Sequence, residues 1–212
     1  MKKGHILQTI LIYAILVVMI ACGNNQGTQE NNAAIPPVKE TAEDSLAKAV
    51  ITKEYKTNTG KIVTVSESHP QGQSLSNISV AFSGDPASEM KFTDKDPINK
   101  VLVGDLDANG FDEIYIITTA AGSGSYGNII GISSNKDKSL SLITVPSVEE
   151  KDMIKGGTFE GYEGHDEFEI VENSLARRFP IKSAKATMRS INYKLKAGEA
   201  SFILYIKNST AF

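Results

Sequence analysis

From about residue 50 to the C-terminus the chain consists of short β-branched and aromatic runs, each closed by turn residues within a few positions. That punctuation leaves little room for anything but strands. In Ser76–Phe82 polar and apolar residues alternate, which places Ile78, Val80 and Phe82 on one face. Val101–Gly104, Glu113–Thr119, Asn128–Ser133 and Leu140–Val145 follow, then Glu167–Glu172, Arg189–Lys196 and Ser201–Lys207. The connections are Asp107-Ala108-Asn109-Gly110, a Gly/Ser loop at 121–127, Asn135–Lys138 and Ala197-Gly198-Glu199. Asn and Gly accept positive φ there, and Asp caps its own backbone. Asp44–Tyr55 reads either as a short helix through Leu46, Ala49, Val50 and Lys53 or as a first strand over Val50–Tyr55. Ser147-x-x-Glu150 is a capping box that can open one short helix, and Gly156 can end it. No internal repeat is visible. The expectation is an all-β domain over residues 50–212: an antiparallel β-sandwich or partly open barrel of about eight strands, with at most one or two short helices.

The N-terminus has a different character. Lys2 and Lys3 precede a mostly apolar run from Ile10 to Ala21, a charged n-region followed by an h-region too short for a comfortable spanning helix. The run closes on Met19-Ile20-Ala21-Cys22, which resembles a bacterial lipoprotein signal. The resemblance implies that residues 1–21 are removed and that Cys22 is acylated. The protein would then be held in the bacterial cell envelope by lipid, facing the periplasm or the cell surface. Residues 22–49 are rich in Asn, Gln, Gly and Thr, contain Pro36-Pro37, and read as a flexible tether.

Charge and cysteine content narrow the function classes. The chain has 22 Lys+Arg against 25 Asp+Glu, a net charge of −3. Removal of residues 1–21 takes away Lys2 and Lys3 and leaves 20 basic against 25 acidic residues, a net charge of −5. Bulk charge therefore argues against a nucleic-acid partner. With one Cys and three His, neither an internal disulfide nor a Cys/His zinc cluster can be assembled. No cofactor is expected.

Two loops carry residues with chemical potential. Asp105-x-Asp107-x-Asn109-Gly110 starts like a calcium loop, with oxygen ligands at alternate positions. The EF-hand pattern then fails, because position twelve is Ile116 rather than a bidentate Glu. A partial site on Asp105, Asp107 and Asn109, completed by Glu113 or Asp112, stands beside the plainer reading of a tight turn between core strands. Gly122-Ser123-Gly124-Ser125-Tyr126-Gly127 has the form GxGxxG. A dinucleotide site needs a helix to start there, and Asn128–Ile132 is a strand, so the fingerprint is rejected. What remains is a Gly-hinged loop offering a phenol at Tyr126 and hydroxyls at Ser123 and Ser125, a combination suited to binding. The alternative is a plain turn with Tyr126 tucked into the core.

Signals for catalysis are sparse. There is no GxSxG elbow, and Ser133-x-x-Lys136 lacks its partner motifs. His69 and His165 sit in polar, loop-like sequence and read as solvated; Glu149-Glu150, the acidic run Glu160–Glu169 and Arg177-Arg178 read as surface. The protein is expected not to be an enzyme.

Three stretches together resemble the bacterial periplasmic inhibitors of invertebrate-type (i-type) lysozymes. The first is Gly60–Glu67 with Ser74–Val80; the second is Gly104–Ile114 running into Ala121–Tyr126; the third is Arg177–Ile181 with Arg189–Leu195. The resemblance covers about residues 55–207. It implies a β-sandwich-like inhibitor whose loop enters the lysozyme cleft, with Ser123 and Tyr126 as the key and Gly122, Gly124 and Ser125 shaping it. Membrane-bound c-type lysozyme inhibitors share the lipid anchor and a Ser/Gly loop, but they carry cysteines within the domain, where this chain has none. An envelope module binding calcium or glycan at the Asp105–Gly110 turn is the other alternative. A homodimer stays open.

Overall fold

The computed structural model describes residues 50–70, 73–183 and 186–212. All of them belong to one unit, Asp44–Phe212. The expected signal segment, Cys22 and the tether lie outside the described residues. Among the described residues, no helix is long and apolar enough to cross a membrane.

The chain runs through β1 (Val50–Lys56), β2 (Ile62–Ser68), β3 (Ser76–Phe82), β4 (Asp85–Lys95), β5 (Ile98–Gly104), β6 (Glu113–Thr119), β7 (Gly127–Ser134) and β8 (Leu140–Ile143). One helical turn follows, α1 (Glu150–Met153), then β9 (Glu167–Val171), β10 (Ser174–Pro180), β11 (Met188–Ala197) and β12 (Phe202–Ala211). These strands form three four-stranded antiparallel sheets, β1-β2-β3-β4, β5-β6-β7-β8 and β9-β10-β11-β12. Within each sheet consecutive strands pair, so each sheet is a meander.

The layering is decided by β6. Six of its seven residues are buried, and period-two geometry sends alternate ones to opposite faces. Ile114 and Ile116 pack with Val63, Val65, Val80 and Phe82 of the first sheet. Tyr115 and Ile117 pack with Leu175, Phe179, Ile191 and Tyr193 of the third. The β5–β8 sheet is therefore the middle layer of an all-β sandwich, covered on both faces. Such a strand reads as a continuous apolar run rather than an alternating one.

The twelve strands exceed the expected eight because four of them hide their period. The ambiguity at β1 resolves as a strand, but an edge strand exposed at nearly every position, so pairing with β2 rather than a buried face holds it. β4 is also an edge strand and contains no buried residue. β2 turns Val63, Val65 and Glu67 inward, so a carboxylate interrupts its apolar stripe. β10 turns Leu175, Arg177 and Phe179 inward, with an arginine doing the same. The helix also starts later than expected. Its cap is Glu149, whose amide donates to Asp152 Oδ2 at 3.0 Å, rather than Ser147.

Candidate functional site

Residues 120–126 join β6 to β7. The last ladder pair is Thr119 with Gly127, and the loop then closes on itself: the Ala120 amide donates to the Tyr126 carbonyl at 2.9 Å and the Ser125 amide to the Gly122 carbonyl at 3.0 Å. Ser125 takes φ +44° to make the turn. Ser123 is exposed, and Ser125 is half-buried. Tyr126 is 47% exposed, so its ring is not tucked into the core. The Tyr126 ring lies across the backbone of Gly124, where an added Cβ would come within 2.3 Å of Cε2. It meets the Tyr162 ring edge-on at 5.7 Å.

The loop rests on the segment preceding β9. The His165 amide donates to the Gly124 carbonyl at 2.7 Å. This approach requires Gly164, at φ +87°, because a Cβ there would lie 2.0 Å from that same carbonyl oxygen. Beneath sits an ion pair removed from water: the Asp166 side chain is 0% exposed and the Arg177 side chain 6%. Arg177 Nε donates to Asp166 Oδ1 at 2.7 Å and Nη2 to Oδ2 at 3.0 Å. Oδ2 also accepts from the Gly127 amide at 2.7 Å and from the Tyr162 hydroxyl at 2.6 Å. Arg177 Nη2 donates as well to the Gly127 carbonyl at 3.2 Å and to Tyr162 Oη. The guanidinium lies over the rings of Tyr162 at 4.8 Å and Phe159 at 5.2 Å. Burial opposes its charge, but the hydrogen bonds and charge of Asp166 prevail and hold its pKa above the ordinary value. Burial likewise pushes the Tyr162 phenol up. Both backbone polar groups of Gly127, the first residue of β7, are thus engaged by the pair, and the base of the loop is rigid.

Arg177 and Asp166 correct the surface reading of Arg177-Arg178 and of the acidic run. A signal for them existed. Leu175-x-Arg177-x-Phe179 puts a cation on an apolar strand face, and a buried cation calls for an acid. Arg178 does lie partly exposed, paired with Glu169. His165 is exposed, and its amide rather than its ring serves the loop. The His69 side chain stays 39% exposed, yet it also meets protein: Nδ1 lies 3.1 Å from Ser76 Oγ, and Nε2 lies 3.7 Å from Glu67 Oε1. Ser76 is wholly buried and donates to Glu67 at 2.8 Å, which ties β2 to β3 and leaves the hydroxyl out of reach of a substrate.

The Asp105–Gly110 turn lies at the other end of β6, roughly 20 Å away at ~3.4 Å per residue. Asp105 Oδ2 accepts from the Gly110 amide at 2.8 Å, and Asp105 Oδ1 and Asp107 Oδ1 both accept from the Asn109 amide. Asn109 Oδ1 is occupied by the Phe111 amide at 2.8 Å. Asp112 faces away and accepts from the Asn58 amide at 2.6 Å. Glu113 faces the turn and is wholly buried. Its Oε2 accepts from the Leu106 amide at 2.8 Å. Burial, with added repulsion from Asp107 and Asp105, pushes the Glu113 carboxyl up to about 8.

That shift gives a pH signature. The folded chain keeps this proton up to about pH 8, whereas the unfolded chain releases it at the ordinary carboxylate value. Between those limits the native state binds more protons, so the group's contribution to stability falls as pH rises. Urea unfolding in chelator from about pH 5 to 8 should show the wild type losing stability relative to Glu113→Gln, with a slope of at most about 1.4 kcal/mol per pH unit for one proton. Parallel pH curves for the two proteins would refute it.

No family model matches the chain, and no curated protein or solved structure is significantly similar to it.

Proposed function

We propose that this protein is a lipid-anchored, non-enzymatic inhibitor of lysozyme, with i-type enzymes as the preferred target. The observation that carries the reading is that Ser123 and Tyr126, three residues apart, are both exposed on a short Gly-hinged loop fixed at its base by the Asp166–Arg177 pair. A lysozyme cleft is a groove containing two carboxyl groups. Serine and tyrosine hydroxyls donate charge-assisted hydrogen bonds to such carboxylates, each contributing about 1.5–3 kcal/mol where water is excluded. A pre-ordered loop loses little conformational entropy on entering the groove. Inhibition then requires occupancy alone. Anchoring through acylated Cys22 would keep the inhibitor in the envelope, where a lysozyme attacks; each buried CH₂ of the lipid contributes about 0.8 kcal/mol. A negative mature chain would also speed encounter with a cationic lysozyme.

The test is a panel of i-type, c-type and g-type lysozymes assayed against the full chain in non-ionic detergent. Inhibition of the i-type enzyme at sub-micromolar concentration is expected. Selective inhibition of the c-type enzyme would move the target to that class, and failure against all three at micromolar concentration would overturn the proposal.

A further inference from the structure

We propose that Asp105, Asp107 and Glu113 form a calcium site at the turn between β5 and β6. Carboxylate oxygens of the three residues lie within 4.8 Å of one another. Oxygens bound to a single calcium ion at 2.3–2.6 Å stand at most about 5 Å apart, so the cluster already has the dimensions of a coordination shell. The independent observation is Glu113 Oε1: it is buried with no hydrogen-bond partner among the described residues, on a side chain with no exposure. A buried oxygen left without a partner is destabilising, and three carboxyl groups gathered in one place repel one another whenever they are ionised. One divalent cation relieves both penalties.

The turn is organised to hold the acids in place. Ala108 and Gly110 adopt φ +59° and +89°. The Asn109 and Gly110 amides fix the Asp105 carboxylate, and Asn173 Nδ2 donates to the Asp105 carbonyl at 2.6 Å, which fastens the turn to the β9–β10 connection. All the ligands are hard oxygens, which select calcium or magnesium over zinc or copper. A loop-built set of irregular geometry favours calcium, because magnesium demands a near-ideal octahedron. The relation to the sequence pattern is specific. The twelfth position of an EF-hand loop is vacant of acid here, and the acidic closing ligand instead comes from position nine, the first residue of β6.

The experiment is calcium titration of chelator-treated full chain in detergent, followed by calorimetry and thermal melting. One calcium per chain is expected, with a Tm rise of about 3–6 °C at roughly tenfold above Kd for a domain of this size; magnesium should give a smaller rise. Glu113→Gln should abolish the response without lowering the chelated Tm. Asp107→Asn, at a half-exposed position, provides a second variant should the first not fold, and it should weaken binding at least tenfold. An unchanged wild-type Tm up to about 10 mM calcium, above the weakest extracellular sites, would overturn the proposal. So would full calcium binding by a folded variant.

Discussion

Replacing Arg177 with Met is expected to destabilise the chain by about 3–5 kcal/mol, because it strands Asp166 in a place without water. The Asp166 side chain is 0% exposed, and its other donors, the Gly127 amide and the Tyr162 hydroxyl, carry no formal charge. Arg177→Lys should recover part of the loss. It restores the charge but not the two-nitrogen grip on Oδ1 and Oδ2. Replacing both partners, Arg177→Met with Asp166→Asn, should be far milder than the Met variant alone, since removing a buried pair costs much less than breaking it. Urea midpoints at constant m-value measure all three. A loss below about 1 kcal/mol for Arg177→Met would mean that water reaches the pair. The same variant should free the base of the 120–126 loop, because Arg177 Nη2 donates to the Gly127 carbonyl. Amide exchange should then rise at Ser125 and Gly127 before it rises in β6.

The second large effect concerns inhibition rather than stability. Ser123→Ala and Tyr126→Ala should each weaken inhibition of the target lysozyme about 10- to 150-fold, the equivalent of one charge-assisted hydrogen bond of 1.5–3 kcal/mol. Both side chains are exposed, so the fold should survive within about 1 kcal/mol. Tyr126→Phe separates the hydroxyl from the ring. It should reproduce most of the Ala loss if the phenol donates to a carboxylate, and little of it if the ring only fills the groove. Normal inhibition by the Ser123 and Tyr126 Ala variants, both folded, would place the contact elsewhere on the molecule.

Strand identity was legible wherever it depended on local chemistry. Ile78, Val80 and Phe82 alternate with polar residues and lie on one buried face of β3. The Gly/Ser loop between β6 and β7 was placed by the same logic, because turn residues act on their own backbone. The acidic turn was likewise visible, and Glu113, one of the two acids singled out beside it, lies near Asp105 and Asp107. Edge strand β4 was hidden because it contains no buried residue, and at β1, exposed at nearly every position, the run left helix and strand both open; a partner strand decides both.

The sequence by itself determined the β class, the turn positions and the hydroxyl-bearing loop, since each follows from residues a few positions apart. Only the tertiary structure decided that β6 would be covered on both faces. It also brought Asp166 to Arg177, eleven residues away across β9 and the β9–β10 turn, and gathered Glu113 with Asp105 and Asp107. The reason is that burial belongs to a neighbourhood rather than to a residue: a charge written in the chain becomes a surface group or a buried anchor only when other layers close over it.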